Sequence, residues 1–229
     1  MTIKELTTMA KFGELRNLGF GTNAEETILT YINLGLLEIY KRFRISTKQV
    51  RIPLRKGQTT YIVPEDYMWM ITAYADVQNG TVIEVVEIPV NNADSAIGVN
   101  TIAWNKIQVP ATLVAKAIRI VYAAAPAQIN YSRDAEVIDG VSLLADKYWS
   151  YEDGFPTPVT VLELPSQFVE PLLHYIGYRS YGAMNGSVEA ENSTHYTRFD
   201  ASCKRIEQTG MFTTEALDMA SRVSDRCFV

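Results

Sequence analysis

The sequence predicts an α+β fold: a helical bundle built from the N- and C-terminal helices, with an antiparallel β-rich domain inserted between them. Three observations predict it. Apolar residues recur at helical spacing before residue 43 and again after residue 165. The stretch between them carries short β-branched and aromatic runs broken by Gly, Pro and Asn. Helices at both ends with strands between pack most simply as one shared helical core plus an insertion.

Ile3, Leu6, Met9, Ala10 and Gly13 make the first helical pattern, which Gly19 and Gly21 interrupt. Asn23 with Glu26 reads as a capping box, in which each residue satisfies an orphan amide of the other. Ile28, Ile32, Leu36, Ile39 and Phe43 then form one apolar stripe, so a helix is expected over about 24–43.

The texture changes after Phe43. Val50, Ile52 and Leu54 alternate with Arg51 and Pro53, and Tyr61–Val63 stops at Pro64. Further strand-like runs are Met70–Tyr74, Thr81–Val86, Thr101–Trp104, Ile107–Val109 and Ala117–Tyr122, with Asn105-Lys106 as a tight hairpin turn. Such spacing suggests a small antiparallel sandwich or barrel. Residues 126–160 are interrupted by Pro126, Gly140, Gly154, Pro156 and Pro158 and are expected to be irregular. They nevertheless carry Val137, Leu143, Leu144, Tyr148, Trp149 and Phe155. The segment either lies over the β-domain or forms a partner-facing arm.

Helix returns at Ser166, with Phe168, Leu172, Tyr175 and Ile176 on one face and Pro171 tolerated in the first turn. Gly182 and Gly186 bracket a turn. A second helix, about 188–209, carries Phe199, Cys203 and Ile206 and ends at Gly210. One further short helix over Glu215–Arg222 fits the tail. The expected parts are 1–46 and 165–210 as the bundle, 47–164 as the β-rich domain including 126–160, and 211–229 as a docking tail.

At 229 residues, 47% hydrophobic and 21% charged, the chain can bury a core without staples. A net charge of −5 and the lack of basic runs argue against a surface that grips phosphate backbones. Cys203 and Cys227 lack metal or redox spacing and read as reduced structural thiols. Neither a secretory leader nor a membrane-length apolar run is visible, so synthesis and assembly in the cytoplasm are expected.

Enzyme signatures are missing: there is no nucleophile elbow, phosphate-binding loop, zinc-protease helix or dinucleotide fingerprint. Glu65-Asp66 and Glu152-Asp153 lie beside turn residues and read as solvated, and Asp139-Gly140 as a turn. His174 and His195 fall on the two C-terminal helices and are able to approach each other. The nearby carboxylates Glu170, Glu191 and Asp200 do not repeat at ligand spacing with both histidines. No catalytic residue, metal site or cofactor is therefore expected. The aromatic clusters Tyr67–Met70 and Tyr148–Tyr151 read as core or as interface, the interface reading being stronger for the second.

The C-terminal segment Leu164-Pro165-Ser166-Gln167-Phe168-Val169-Glu170-Pro171-Leu172-Leu173-His174-Tyr175-Ile176-Gly177-Tyr178-Arg179 resembles the closing helix of tailed-phage head-to-tail adaptors, the gateway or tail tubular protein A-like family. Glu191–Phe199 with Cys203–Ile206, the 24–43 helix with Tyr31-Ile32-Asn33-Leu34-Gly35, and the Tyr61–Tyr67 step fit the same order of pieces. The resemblance spans most of the chain except 126–160.

It implies a structural virion protein at the head-tail junction, a homo-oligomeric and expectedly dodecameric ring between the portal protein and the tail nozzle. Viral DNA would pass through without specific binding, and no membrane would be involved. The tail would dock on the portal through Met211, Phe212, Leu217, Phe228 and Val229. Tyr148, Trp149, Tyr151 and Phe155 would touch a neighbouring subunit or a tail fibre. The competing readings are another phage tail or receptor- or glycan-binding structural module, and an enzyme without a linear signature.

Overall fold

A computed structural model describes residues 1–16, 18, 24–79, 82–91, 98–132, 137–138, 141–142, 147–152, 155–158, 161–162, 164–185 and 191–210. Within them the protein is α+β, with four α-helices and antiparallel sheets. The chain divides into two compact units, one formed by Met1–Phe43 with Pro126–Val229 and the other by Arg44–Ala125. This partition differs from the boundary expected at 164, because 126–160 groups with the helices.

In the helical unit, α1 spans Ile3–Phe12 and α2 spans Ala24–Arg42. The capping box at the start of α1 pairs Thr2 with Glu5. The Glu5 amide donates to Thr2 Oγ1 at 3.1 Å, and the Thr2 amide donates to Glu5 Oε2 at 2.9 Å. Asn23, expected to cap α2, lies outside the described residues. The α2 stripe is as periodicity demands: Ile28, Ile32, Leu36 and Ile39 are buried, and Phe43 meets Phe168 edge-on at 4.8 Å.

A short 3-10 turn over Ser166–Phe168 leads into α3, Val169–Asn185, which keeps Pro171 in its first turn. Gly182 lies within α3 rather than in a turn. A single glycine costs a helix about 1 kcal/mol, which packing on a neighbouring helix overrides. α4 spans Glu191–Gln208 and packs along α3, with Tyr175 and Phe199 edge-on at 5.3 Å. Gly210 follows at φ +68°, the left-handed terminator that glycine supplies. Near the end of α2, Arg42 reaches across to α4 and pairs with both Glu207 and Asp200, the latter at 2.7 Å. The proposed tail helix over 215–222 lies outside the described residues.

The segment expected to be irregular contains strands: β8 (Asn130–Ser132), β9 (Val137–Ile138), β10 (Val141–Ser142), β11 (Lys147–Glu152) and β12 (Phe155–Pro158). β11 is central between β12 and β8, so among the described residues β12 is an edge strand. Edge position is what admits Pro156 and Pro158, since an edge strand needs only one row of amide donors.

In the other unit, β1 (Thr47–Pro53), β7 (Ala117–Ala124), β3 (Tyr67–Asn79) and β4 (Val82–Ile88) form a four-stranded antiparallel sheet in that order. β2 (Thr60–Ile62), β6 (Lys106–Gln108) and β5 (Asn100–Ala103) make a second sheet. β3 is far longer than the Met70–Tyr74 run. It tolerates bulges at Tyr67/Trp69 and Met70/Thr72 because β7 pairs along most of its length. The β5–β6 hairpin turns on Trp104-Asn105, one residue earlier than expected. One cluster takes Tyr61, Val63 and Ile107 from the small-sheet side and Met70, Ile118 and Ile120 from the large sheet. In the large sheet Asp76, fully buried, pairs with Arg51 and Arg119.

No helix among the described residues is long and apolar enough to cross a membrane.

Candidate functional site

Among the described residues, two places stand out. The first is β4. It ends the strand order and, among the described residues, pairs only with β3. Its sequence, Val82-Ile83-Glu84-Val85-Val86-Glu87-Ile88, is apolar at successive positions instead of alternating. Side chains alternate between sheet faces, so such a run belongs to a strand covered on both sides. Only Ile88 is buried, whereas Val82, Ile83, Val85 and Val86 are 60%, 49%, 50% and 48% exposed. Soluble proteins usually protect edges with charge, proline or a bulge, and β4 has only one exposed glutamate on each face, Glu84 and Glu87, beside its four exposed aliphatic residues. Ile62 and Ile102 on the small sheet and Trp104 in its hairpin turn add exposed apolar groups in the same unit.

The second place is in the helical unit, where three segments converge. Glu14 lies in the turn after α1, His174 on α3 and His195 on α4. The Glu14 carboxylate sets Oε1 3.3 Å from His174 Nδ1 and Oε2 3.0 Å from His195 Nδ1. Both Nδ1 atoms are buried, and neither aligns with the carboxylate as a hydrogen bond. Ligand atoms from all three residues lie within 4.8 Å of one another. The His195 ring stacks on Tyr181 at 4.9 Å and 15°. Burial pushes the His195 imidazole below its ordinary pKa; Arg198 and His174 act in the same direction and Glu14 opposes them.

The expected approach of His174 and His195 is thus observed, but their shared carboxylate is none of Glu170, Glu191 and Asp200. Glu14 is distant in sequence, and only tertiary packing brings it near. The β4 surface did leave a signal, the missing alternation.

Tyr148, Trp149 and Tyr151 lie in β11, where Tyr148 pairs with Tyr131, Trp149 with both Asn130 and Pro158, and Tyr151 with Pro156. Phe155 lies in β12 opposite Glu152. The aromatic segment therefore has regular backbone structure, contrary to the expectation on which its interface reading rested. Met211, Phe212, Leu217, Phe228 and Val229 fall outside the described residues.

Comparison with curated proteins finds no match. The family model described as SU10 adaptor protein matches residues 1–222, nearly the whole chain. A structural family accords with the lack of any enzyme motif in the sequence. The chain belongs to the SU10 adaptor protein family, a family of bacteriophage structural adaptors.

Proposed function

We propose that the protein is the head-to-tail adaptor of a tailed phage, a non-catalytic virion subunit assembled in the host cytoplasm. Copies form a closed ring, a dodecamer on the family resemblance, between the portal protein and the tail nozzle. The helices from both chain ends form the ring wall. The net charge of −5 suits a channel that lets viral DNA pass without holding it. The tail after residue 210 docks on the portal through Met211, Phe212, Leu217, Phe228 and Val229. Tyr148, Trp149, Tyr151 and Phe155 touch a neighbouring subunit or a tail fibre.

The observation that carries the reading is β4, whose two-sided apolar pattern is uncovered in the single chain. Head-to-tail packing around a ring places a different surface of the neighbour against it in every copy, a heterologous contact that closes by rotation. The test is the double variant Ile83→Lys, Val85→Lys. Both positions are exposed, so the free chain is expected to fold and melt as wild type. Rings on purified portal should be lost in negative-stain images. Rings of normal appearance would remove β4 from the interface.

A further inference from the structure

We propose that Glu14, His174 and His195 form a binding site for a divalent first-row transition metal ion of the Zn²⁺ type. The site leaves at least one coordination position for water or a donor from another molecule. Two imidazoles and a carboxylate, with no thiolate, are a donor set of intermediate softness that suits Zn²⁺, Co²⁺ or Ni²⁺ better than Ca²⁺ or Cu⁺.

The Glu14 carboxylate stands at ligand spacing from each imidazole, and the three donors lie within 4.8 Å of one another. Two donors bound at about 2.0–2.1 Å lie about 3.3 Å apart in tetrahedral geometry and about 2.9 Å apart at a right angle. The nitrogen–oxygen separations are 3.3 Å from His174 Nδ1 to Glu14 Oε1 and 3.0 Å from His195 Nδ1 to Glu14 Oε2, so an ion between the rings would take one oxygen or both. Neither buried Nδ1 has a well-aligned hydrogen-bond partner, although the Glu14 carboxylate is within reach of both. A cation among the three donors satisfies both lone pairs at once.

The surroundings hold the rings for this purpose. Glu170 Oε1 stands 3.7 Å from His174 Nε2, beyond hydrogen-bond distance but near enough for its charge to act on that side of the ring. Tyr181 fixes the plane of His195 by stacking. On α3, Gly177 leaves room for that ring: a Cβ there would stand 2.9 Å from His195 Nδ1 and 3.3 Å from Cε1. With neutral imidazoles the three donors carry a single negative charge, which a divalent ion reverses. Bound metal would tie the end of α1 to α3 and α4 and so stabilise the folded helical unit.

The experiment uses the full chain, freed of metal with EDTA, and titrates Zn²⁺ by calorimetry and thermal melting. One ion per chain is expected, with Tm raised by about 5–10 °C at a hundredfold excess over Kd. Co²⁺ should bind competitively and show visible ligand-field absorption. His174→Ala/His195→Ala should abolish both responses. Gly177→Ala, which keeps all three donors, should weaken Zn²⁺ at least tenfold, and it decides the matter if the double variant fails to fold. The proposal is overturned if wild type shows no saturable binding, if the folded double variant binds as wild type does, or if Gly177→Ala leaves affinity unchanged.

Discussion

Asn33 on α2 holds Ile129 by both ends of its amide: Nδ2 donates to the Ile129 carbonyl at 2.7 Å, and Oδ1 accepts the Ile129 N–H at 2.9 Å. The contact fixes the chain where it rejoins the helical unit at Pro126, immediately before β8. Removing the side chain leaves two backbone groups without partners, each costing about 1–3 kcal/mol if it stays dry. Asn33→Ala should lower unfolding stability by about 2–3 kcal/mol, read from the urea midpoint. Asn33→Asp should fall below wild type too, because a carboxylate opposes the Ile129 carbonyl. Wild-type midpoints for both would show that the clamp contributes nothing.

Gly35 is a mid-helix residue whose replacement by alanine would gain about 1 kcal/mol from helix propensity alone. A Cβ there would meet Leu172 Cδ1 at 2.5 Å and Tyr175 Cδ1 at 3.0 Å, and Leu172 is fully buried. Overpacking of this kind costs about 1–3 kcal/mol. Gly35→Ala should therefore destabilise, against its propensity. Adding Leu172→Ala should recover part of the loss in a double-mutant cycle.

Burial pushes the Asp76 carboxyl upward, but Arg51 at 2.9 Å and Arg119 at 2.8 Å outweigh it and hold the pKa below the ordinary value. A carboxylate with a depressed folded-state pKa adds stability that is full above its unfolded value, about 4, and lost as pH falls through the folded one. Wild type should lose stability on acidification below about pH 4. Asp76→Asn should be less stable than wild type at pH 7 and flatter through the acid range. Equal acid slopes in the two proteins would contradict this.

Burial raises the Cys203 thiol to about 11, with Arg42 opposing and Glu207 and Asp200 assisting. The residue is inaccessible as well as protonated at neutral pH. In a Cys227→Ser background a thiol reagent at pH 8 should leave the native chain unmodified and label it fully on unfolding. Rapid labelling of the native chain would refute the packing of α4.

Local order was legible in the sequence, and long-range order was not. The stripe from Ile28 to Phe43 is a property of neighbouring turns, so its period predicts both the helix and its buried face. The strands in 126–160 are two to six residues long and carry prolines that only an edge strand accepts, so no window held a pattern. Glu14 follows Gly13 in a turn and has no periodic relation to either histidine. β4 was readable as a strand. Its failure to alternate gains meaning only once the structure leaves it exposed.

The measurement that tests the assignment most directly is particle mass, taken for the chain alone, for purified portal, and for the mixture. The account predicts a discrete increment on the portal equal to a whole number of chains, twelve for a dodecameric ring, with no larger aggregate. A mixture whose masses are only those of free portal and free chain would contradict it.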